Sequence, residues 1–290
     1  MKPQPATHDD LDGDVYVFPR HLARTTAAGA PGLEPLRTHG WDLQHDDLGN
    51  AYLNAPDGRV RLGYLPEGED DGLWRICAYR DTFGPPAWGV CFNDSAPTEF
   101  VTAFTTALAT AYRYGPEHYL ARPLAGDPER DPFLAVAPLI ARGWQFHRPD
   151  LDTFAIASPD GLATLEYATG SLQPASELDS RSARWHLWAG HHIDRPFWYA
   201  TASTDTPAAL LRAVTESVAD PAPLLRWREN SFSYVSGHAQ LSPVLPPPPP
   251  APTPLDVQRA VASRRPAALP AASVPRWSTT SRSALPSPRR

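Results

Sequence analysis

The chain has 290 residues, of which 42% are hydrophobic and 20% charged, values typical of a soluble globular protein with room for a core. Its only cysteines are Cys77 and Cys91, which excludes a disulfide-based secreted scaffold and favours a reducing cytoplasm. The N-terminus is polar and acidic, and no apolar run approaches the roughly 20 residues that span a bilayer. Neither a signal peptide nor a membrane anchor is therefore expected.

Charge is distributed unevenly along the chain. From Pro243 onward there are seven arginines and one aspartate, a net charge of +6, whereas residues 1–242 carry 19 basic and 31 acidic groups, a net charge of −12. An acidic body repels nucleic-acid phosphates in general, although a local basic face can still bind them.

The sequence contains an internal repeat, because its first part aligns with its second part when the chain is shifted by 103 residues. Between residues 16 and 64 the shift gives 12 identities in 49 positions without a gap, where chance gives about three. The register then slips by seven or eight residues, so that Trp74 matches Trp185, and the longer loop from Ala168 to Ser182 absorbs the slip. The identities include Tyr16 and Tyr119, Gly40-Trp41 and Gly143-Trp144, Pro56–Gly58 and Pro159–Gly161, and Tyr64 and Tyr167.

Each unit is predicted to begin with a short strand and a short helix. The strands are Val15–Phe18 and Tyr119–Ala121, and the helices lie around Leu33–Thr38 and Ala135–Ala141. Gly40 and Gly143 stand where glycine commonly ends a helix in the left-handed conformation.

Four strands and a closing helix are predicted to follow. The first strand begins at Trp41 or Trp144, and the Asp-Gly pairs that follow are typical of tight turns. Apolar residues then alternate, which indicates strands with one buried face. The helix has an apolar stripe at Phe100, Phe104 and Leu108, matched by Leu210, Val214 and Val218, that should pack on the sheet.

The predicted fold class is therefore α+β, with two tandem β-α-β-β-β-β-α repeats. Each repeat has an antiparallel four-stranded sheet covered by its C-terminal helix. Repeat 1 is assigned to residues 14–114, repeat 2 to residues 115–222, and an extension or linker to residues 223–242. Residues 243–290 are predicted to be a disordered tail rich in proline and arginine. The prolines of Pro246–Pro250 favour a polyproline II rod, which serves either as a spacer or as a docking segment for a partner.

These landmarks resemble the SPDY family of actinobacterial proteins, a domain of unknown function. The resemblance depends on Gly143-Trp144, Ser158–Gly161, Tyr167, Trp185 and Thr206-Pro207. In the first copy, Ala55 and Ala96 replace the serine and the threonine of the pattern. The resemblance covers roughly residues 14–220. It implies a bacterial source and supplies no catalytic or binding residues.

Candidate ligand-facing residues alternate with the core positions of the predicted sheets. In repeat 1 they are Arg59, Arg61, Arg75 and Tyr79, and in repeat 2 the matching places hold Leu162, Thr164, His186 and Trp188. Arginines that track phosphates, together with rings that stack on bases, are typical of single-strand binders. A solvated face, or two sheets packed on each other, explains the same residues, so these interpretations stay open.

Other candidate sites have simpler structural interpretations. The tryptophans are expected to be core anchors, although a ligand cage is possible. The spacing of His186, His191 and His192 matches no zinc pattern. Neither cysteine lies in a nucleophile motif, and the sequence has no phosphate-binding glycine loop. The acidic group of Glu67 and Glu69–Asp71 is interpreted as a solvated loop.

The sequence favours a non-catalytic tandem-repeat protein that binds an unknown ligand or acts as an adaptor for an unknown protein partner. The proline-rich tail is by default a spacer or an unstructured end, and docking to the partner is the alternative. The alternative is a single-stranded nucleic-acid-binding protein that uses the outer sheet face of repeat 1, although the acidic body disfavours it. A third hypothesis is an enzyme with an unrecognised site. No catalytic, cofactor-binding or metal-binding residue is assigned, no cofactor or membrane contact is expected, and the predicted location is the cytoplasm.

Overall fold

Ten antiparallel strands, five from each repeat, form one continuous sheet. The computed structural model describes residues 13–26, 29–68, 72–120, 131–179, 183–227 and 237–244, together with Leu255, Asp256 and Arg259. The first strand, β1 (Asp14–Phe18), lies outside this sheet. Repeat 1 contributes β2 (Asp42–His45), β3 (Ala51–Asn54), β4 (Val60–Tyr64), β5 (Trp74–Tyr79) and β6 (Pro86–Phe92); repeat 2 contributes β7 (Gln145–His147), β8 (Thr153–Ala157), β9 (Ala163–Ala168), β10 (Trp185–Ala189) and β11 (Trp198–Ala202).

The strand order is β2-β3-β4-β5-β6-β11-β10-β9-β8-β7, so the two repeats meet where β6 pairs with β11. One face of the sheet is covered by four helices, which lie side by side in the order α1-α2-α6-α4. These helices are α1 (Ala30–Arg37), α2 (Thr98–Tyr114), α4 (Phe133–Ala141) and α6 (Ala208–Ala219), and two shorter helices are α3 (Pro116–Tyr119) and α5 (Pro174–Asp179). None of the helices that the structure describes is both long and apolar enough to cross a membrane.

The prediction of separate four-stranded sheets is wrong in two respects. The repeats share one sheet, and each contributes five strands, because the segment after Trp41 folds back into the hairpin β2–β3. Its turn was missed because it lacks an Asp-Gly pair. The Asp46 carboxylate accepts backbone hydrogen bonds from Leu48 at 3.0 Å and from Asn50 at 2.9 Å, and Gly49 adopts a φ of +87°, a conformation that glycine takes at little cost.

Among the described residues, the opening strand of repeat 1 has no counterpart in repeat 2. β1 pairs with β12 (Leu224–Trp227) and with β13 (Gln240–Pro243) in a small three-stranded sheet. Tyr119, by contrast, lies in α3, and Ala121 falls outside the described residues. The predicted linker of residues 223–242 therefore contributes to two strands, both of which pair with β1.

Pro243, the first residue of the tail that was predicted to be disordered, is the last residue of β13. Apart from Leu255, Asp256 and Arg259, residues 245–290 lie outside the described part of the chain. The boundaries proposed for the two repeats stay predictions.

The tryptophans anchor the core, as predicted. Trp41, Trp74 and Trp88 of repeat 1 and Trp144, Trp185 and Trp198 of repeat 2 are all buried. The ring of Trp74 packs at 4.6 Å from Tyr64, and that of Trp185 packs at 4.5 Å from Tyr167. Equivalent rings therefore make equivalent contacts.

The glycine after the first helix of each repeat confirms the duplication. Gly40 and Gly143 have φ angles of +80° and +83°. Each donates its N–H to a carbonyl three residues earlier, at 3.0 Å in both repeats, and the following Trp41 and Trp144 are buried alike. The two Gly-Trp pairs thus occupy matching scaffolds.

The segment that opens each repeat docks on the other repeat. Tyr119 is the last residue of α3, before α4, and its carbonyl accepts a hydrogen bond of 2.6 Å from Nε1 of Trp88 in repeat 1. His21 lies before α1, and its carbonyl accepts one of 2.8 Å from Nε1 of Trp198 in repeat 2. His21, rather than Tyr16, is therefore the structural counterpart of Tyr119.

Candidate functional site

A pseudo-two-fold axis passes between Cys91 and Thr201. These residues lie directly opposite each other where β6 pairs with β11, and Phe92 and Val90 lie opposite Ala200 and Ala202. Equivalent residues here are 110 positions apart, so the pairing of the two strands is nearly symmetric about this point.

Side-chain hydrogen bonds repeat the symmetry on both sides of the axis. Asn93 donates its N–H to the Tyr199 carbonyl at 3.1 Å, and its side-chain oxygen accepts the Tyr199 N–H at 3.0 Å. Ser203 donates its N–H to the Gly89 carbonyl at 3.0 Å, and its hydroxyl accepts the Gly89 N–H at 3.0 Å. Ser203 is therefore the counterpart of Asn93 in repeat 2, although the two residue types differ.

The open face is the face of the ten-stranded sheet opposite the four helices, and both sets of candidate residues lie on it. In repeat 1 the row across the strands runs from Arg61 to Cys77 and Gly89, and the neighbouring row runs from Gly63 to Arg75. The second row continues through Cys91 and Thr201 into repeat 2, where it reaches His186 and Glu166.

The open face of repeat 1 is a polar and aromatic surface. The Arg61 guanidinium lies 4.8 Å from the ring centre of Tyr79 and donates a hydrogen bond of 3.1 Å to the Thr82 carbonyl. Arg61 and Arg75 are exposed. We call this surface the platform, formed by Tyr52, Arg61, Arg75, Cys77 and Tyr79.

Arg59 lies at the end of the platform rather than on it. It precedes β4, and its carbonyl accepts the N–H of Tyr79 at 2.7 Å. Its guanidinium Nε lies 3.9 Å from a carboxylate oxygen of Asp57. The structure thus brings together three of the four residues predicted for repeat 1 and holds the fourth beside an acid.

The candidate residues on the open face of repeat 2 are less accessible than those of repeat 1. His186 is buried, as are Thr164, Tyr199 and Thr201. Trp188 is half-buried and donates its Nε1–H to Glu166 at 3.4 Å. Strand alternation predicts which face a side chain lies on, but it does not predict whether something packs on that face.

The pairing also corrects one assigned counterpart. Trp188 lies between Thr164 and Tyr199, as Cys77 lies between Arg61 and Gly89. Trp188 therefore matches Cys77, and the counterpart of Tyr79 is Gly190, whose N–H binds the Leu162 carbonyl.

The thiol of Cys77 and the phenol of Tyr79 on the platform favour their neutral forms. Burial raises the pKa of the Cys77 thiol, although a hydrogen bond with Tyr79 and the nearby guanidinium groups oppose this shift. Burial also raises the pKa of Tyr79. A protonated thiol is a weak nucleophile and a poor metal ligand. The platform therefore offers guanidinium charge, aromatic faces and hydrogen bonds.

A helix that is inserted only in repeat 2 lies over the open face at the junction. This is α5, within the longer loop that absorbs the register slip. A Cβ atom built on Gly89 would lie 2.5 Å from Cδ2 of Leu178, so a side chain at residue 89 would collide with α5. Buried Glu177 fixes the helix by accepting hydrogen bonds from the Thr204 N–H at 2.6 Å and its hydroxyl at 2.7 Å.

The histidines do not assemble into a metal centre. His191 packs against Phe197 and His238, whereas His192 lies 3.2 Å from Asp194. Within the described part of the chain, no three His, Cys, Asp or Glu side chains are placed to hold a metal ion. Of the predicted acidic loop, Glu67 is described, and Glu69–Asp71 fall outside the described residues.

Comparison with protein families identifies the repeated unit. The model of SPDY, a domain of unknown function (DUF317), matches residues 54–113 and 157–224. The chain carries two tandem SPDY domains. The matches begin at equivalent positions, at the ends of β3 and β8, and include α2 and α6. No curated protein and no solved structure matches the chain.

Two features of this tandem SPDY protein were missing from the sequence interpretation. The docking of His21 and Tyr119 on opposite repeats was missed because the residues differ and both precede the matched regions. The contact of α5 with Gly89 in β6 was missed because the insertion was interpreted as a loop. A sequence signal for this contact does exist, since the small residue Gly89 stands where repeat 2 has Tyr199.

Proposed function

We propose that this tandem SPDY protein is a non-catalytic binding protein and that the platform of repeat 1 is its ligand-facing surface. The observation that supports the proposal is the contrast between equivalent positions. Arg61 and Arg75 are exposed, whereas their counterparts Thr164 and His186 are only 7% and 8% exposed. The duplicated fold has covered one open face and left the other accessible, with charge and aromatic rings on it.

The chemistry of the platform favours an anionic partner. Guanidinium groups bind carboxylates and phosphates through paired hydrogen bonds. Tyr79 supplies a ring already stacked beneath Arg61, and Tyr52 is partly exposed on the same face. The body carries a net charge of −12 over residues 1–242 and therefore repels an acidic partner over most of its surface. A local basic surface then fixes the place and the orientation in which such a partner binds.

A titration with a fluorescent polyglutamate peptide tests this proposal. We expect binding that weakens at moderate salt and falls at least tenfold in the variant Arg61→Glu with Arg75→Glu. The matched control is Arg37→Glu, an exposed arginine on α1 in the helix layer, which should bind like the wild type. Equal binding by all three proteins would count against the platform.

The second candidate is single-stranded nucleic acid, which the interleaving of Tyr52 and Tyr79 with Arg61 and Arg75 favours. Such surfaces stack bases on rings while arginines contact the backbone. A labelled single strand should then compete with polyglutamate, and its affinity should fall with salt more steeply. Absence of binding at low salt would remove this candidate and leave the acidic peptide.

The proposed setting is the cytoplasm of an actinobacterium, with an adaptor role in which the proline-rich tail contacts a protein partner. Cys77 and Cys91 are not joined in a disulfide, and on their neighbouring strands each lies opposite another residue, Gly89 and Arg75. This arrangement suits a reducing compartment. Recovery of partners from the native host with and without residues 245–290 tests the adaptor role, which requires partners that depend on the tail.

A further inference from the structure

The outward side of α4 is apolar along its whole length. Phe133 and Ile140 are 63% and 48% exposed, and Ala137 and Ala141 between and beside them are also exposed. The opposite side, with Ala135, Val136 and Leu139, is buried in the core. A helix that is apolar on all sides is normally covered on all sides.

The equivalent helix of repeat 1 shows that the fold does not require this surface. The shift of 103 residues places Glu34 and Arg37 where repeat 2 has Ala137 and Ile140. Their side chains are exposed and form an ion pair of 2.7 Å. The apolar surface is therefore a property of repeat 2, at positions where repeat 1 has a solvated ion pair.

Edge strand β7 continues the apolar surface. Phe146 is its central residue and lies opposite Ile156, which is buried under the helices, so Phe146 is on the same side of the sheet as α4. It is 54% exposed. Among the described strands, β7 pairs with β8 alone, which leaves its outer edge open.

The two ends of the ten-stranded sheet differ in charge. Exposed edge strands usually carry charged residues that block pairing with another chain. β2, the edge of repeat 1, begins with Asp42, whereas the matching residue of β7 is Gln145. Both strands run on toward an aspartate, Asp47 or Asp150, so β7 lacks the one carboxylate that lies within β2.

We propose that β7 and the outer side of α4 form an interface with a second copy of this chain. The β7 strands of the two copies pair antiparallel about a two-fold axis at Phe146. An antiparallel edge is complementary to itself, so a two-fold axis pairs identical surfaces and closes the assembly. Phe133, Ile140 and Phe146 of one copy then meet the same residues of the other.

The chain itself contains the same arrangement. β6 and β11 pair antiparallel about the axis between Cys91 and Thr201, and equivalent helices α2 and α6 pack together across it. Edge pairing with helix packing above it is thus how one SPDY domain already joins another. The interface at β7 is independent of the platform, since it uses the other end of the sheet and its helical side.

The test is the mass of the full chain in solution, measured by light scattering over micromolar concentrations. We expect a dimer in the wild type and a monomer in the double variant Ala137→Glu with Ile140→Arg. This variant installs the residue pair that repeat 1 carries at the same positions, so the helix should fold, and an unchanged thermal melt of the monomer checks that it does.

A cysteine variant supplies an independent measurement. Under mild oxidation, Phe146→Cys should form a disulfide between chains, whereas Leu43→Cys, at the equivalent position of β2, should not. A wild type that is monomeric throughout would overturn the proposal. So would a dimer that persists in the double variant, or a dimer in which Phe146→Cys does not cross-link. A ladder of multimers would also overturn it, because it indicates β2 of one copy pairing with β7 of the next.

Discussion

The carbonyl oxygens of His21 and Tyr119 accept equivalent hydrogen bonds, from the indoles of Trp198 and Trp88 at 2.8 Å and 2.6 Å. Each carbonyl belongs to the segment that opens one repeat and docks on the other. The two repeats are therefore held together both by the shared sheet and by these crossed segments. We therefore expect them to unfold in one cooperative transition.

The variants Trp88→Phe and Trp198→Phe should each destabilise the protein by about 2 kcal/mol, because a buried carbonyl loses its donor. Chemical denaturation measures the loss. Trp41→Phe is the matched control, since Nε1 of Trp41 has no hydrogen-bond partner among the described residues and only ring area is lost. A loss for Trp41→Phe as large as the other two would contradict the role of the hydrogen bonds.

The contact between His21 and Asp160 predicts a loss of stability in acid. Burial opposes ionisation of Asp160, yet hydrogen bonds from His21, Ser158 and the Leu162 N–H hold its pKa well below its usual range. A lowered pKa in the folded state contributes stability above the unfolded value of about 4 and loses it as the pH falls toward the folded value. The His21 ring lies 2.8 Å from this carboxylate and is buried.

Thermal melts of the wild type and Asp160→Asn from pH 7 to pH 2 test this contribution. The difference in stability should be largest near neutrality and should shrink below about pH 4. A difference that stays constant across the range would show that the carboxylate charge contributes nothing to folding.

Much of the fold was predictable because its landmarks have strict local requirements. Gly40 and Gly143 need the left-handed conformation, and the tryptophans need a core, so their spacing revealed the repeat. The two repeats join instead through backbone pairing at Cys91 and Thr201, and backbone pairing does not require particular side chains. The hairpin at Asp46 was also not predictable from a pattern, because its turn is held by the Asp46 carboxylate and has no Asp-Gly pair.

The sequence predicted which face of the sheet the candidate residues lie on, but not how exposed they are. Alternation placed Arg61, Arg75 and Tyr79 on one face correctly. It could not distinguish this face from that of His186, because burial there depends on residues far away in sequence. Their role in binding stays a prediction.

The close approach of α5 to the sheet predicts that Gly89→Ala is destabilising by about 1 kcal/mol, since the new methyl group forces the flexible end of the Leu178 side chain to move. Shortening the opposing side chain should relieve the collision. We expect Leu178→Ala to cost less in the Gly89→Ala background than in the wild type. A double-mutant cycle measures this coupling, and additive losses would argue against the contact.

Equivalent core rings should contribute equally if the repeats are matching scaffolds. Trp74→Ala and Trp185→Ala are each expected to cost about 3–5 kcal/mol, through lost burial and the cavity left behind. Denaturation midpoints measure both. An unchanged midpoint for one of them would show that its ring is not a core anchor.

Amide hydrogen exchange with and without bound polyglutamate tests the central claim most directly, because it locates the ligand without altering the protein. If the platform is the binding surface, protection should rise at Arg61 and Arg75 in β4 and β5 and stay unchanged at the equivalent strands β9 and β10. Protection on β9 and β10, or over the helix layer alone, would contradict the account.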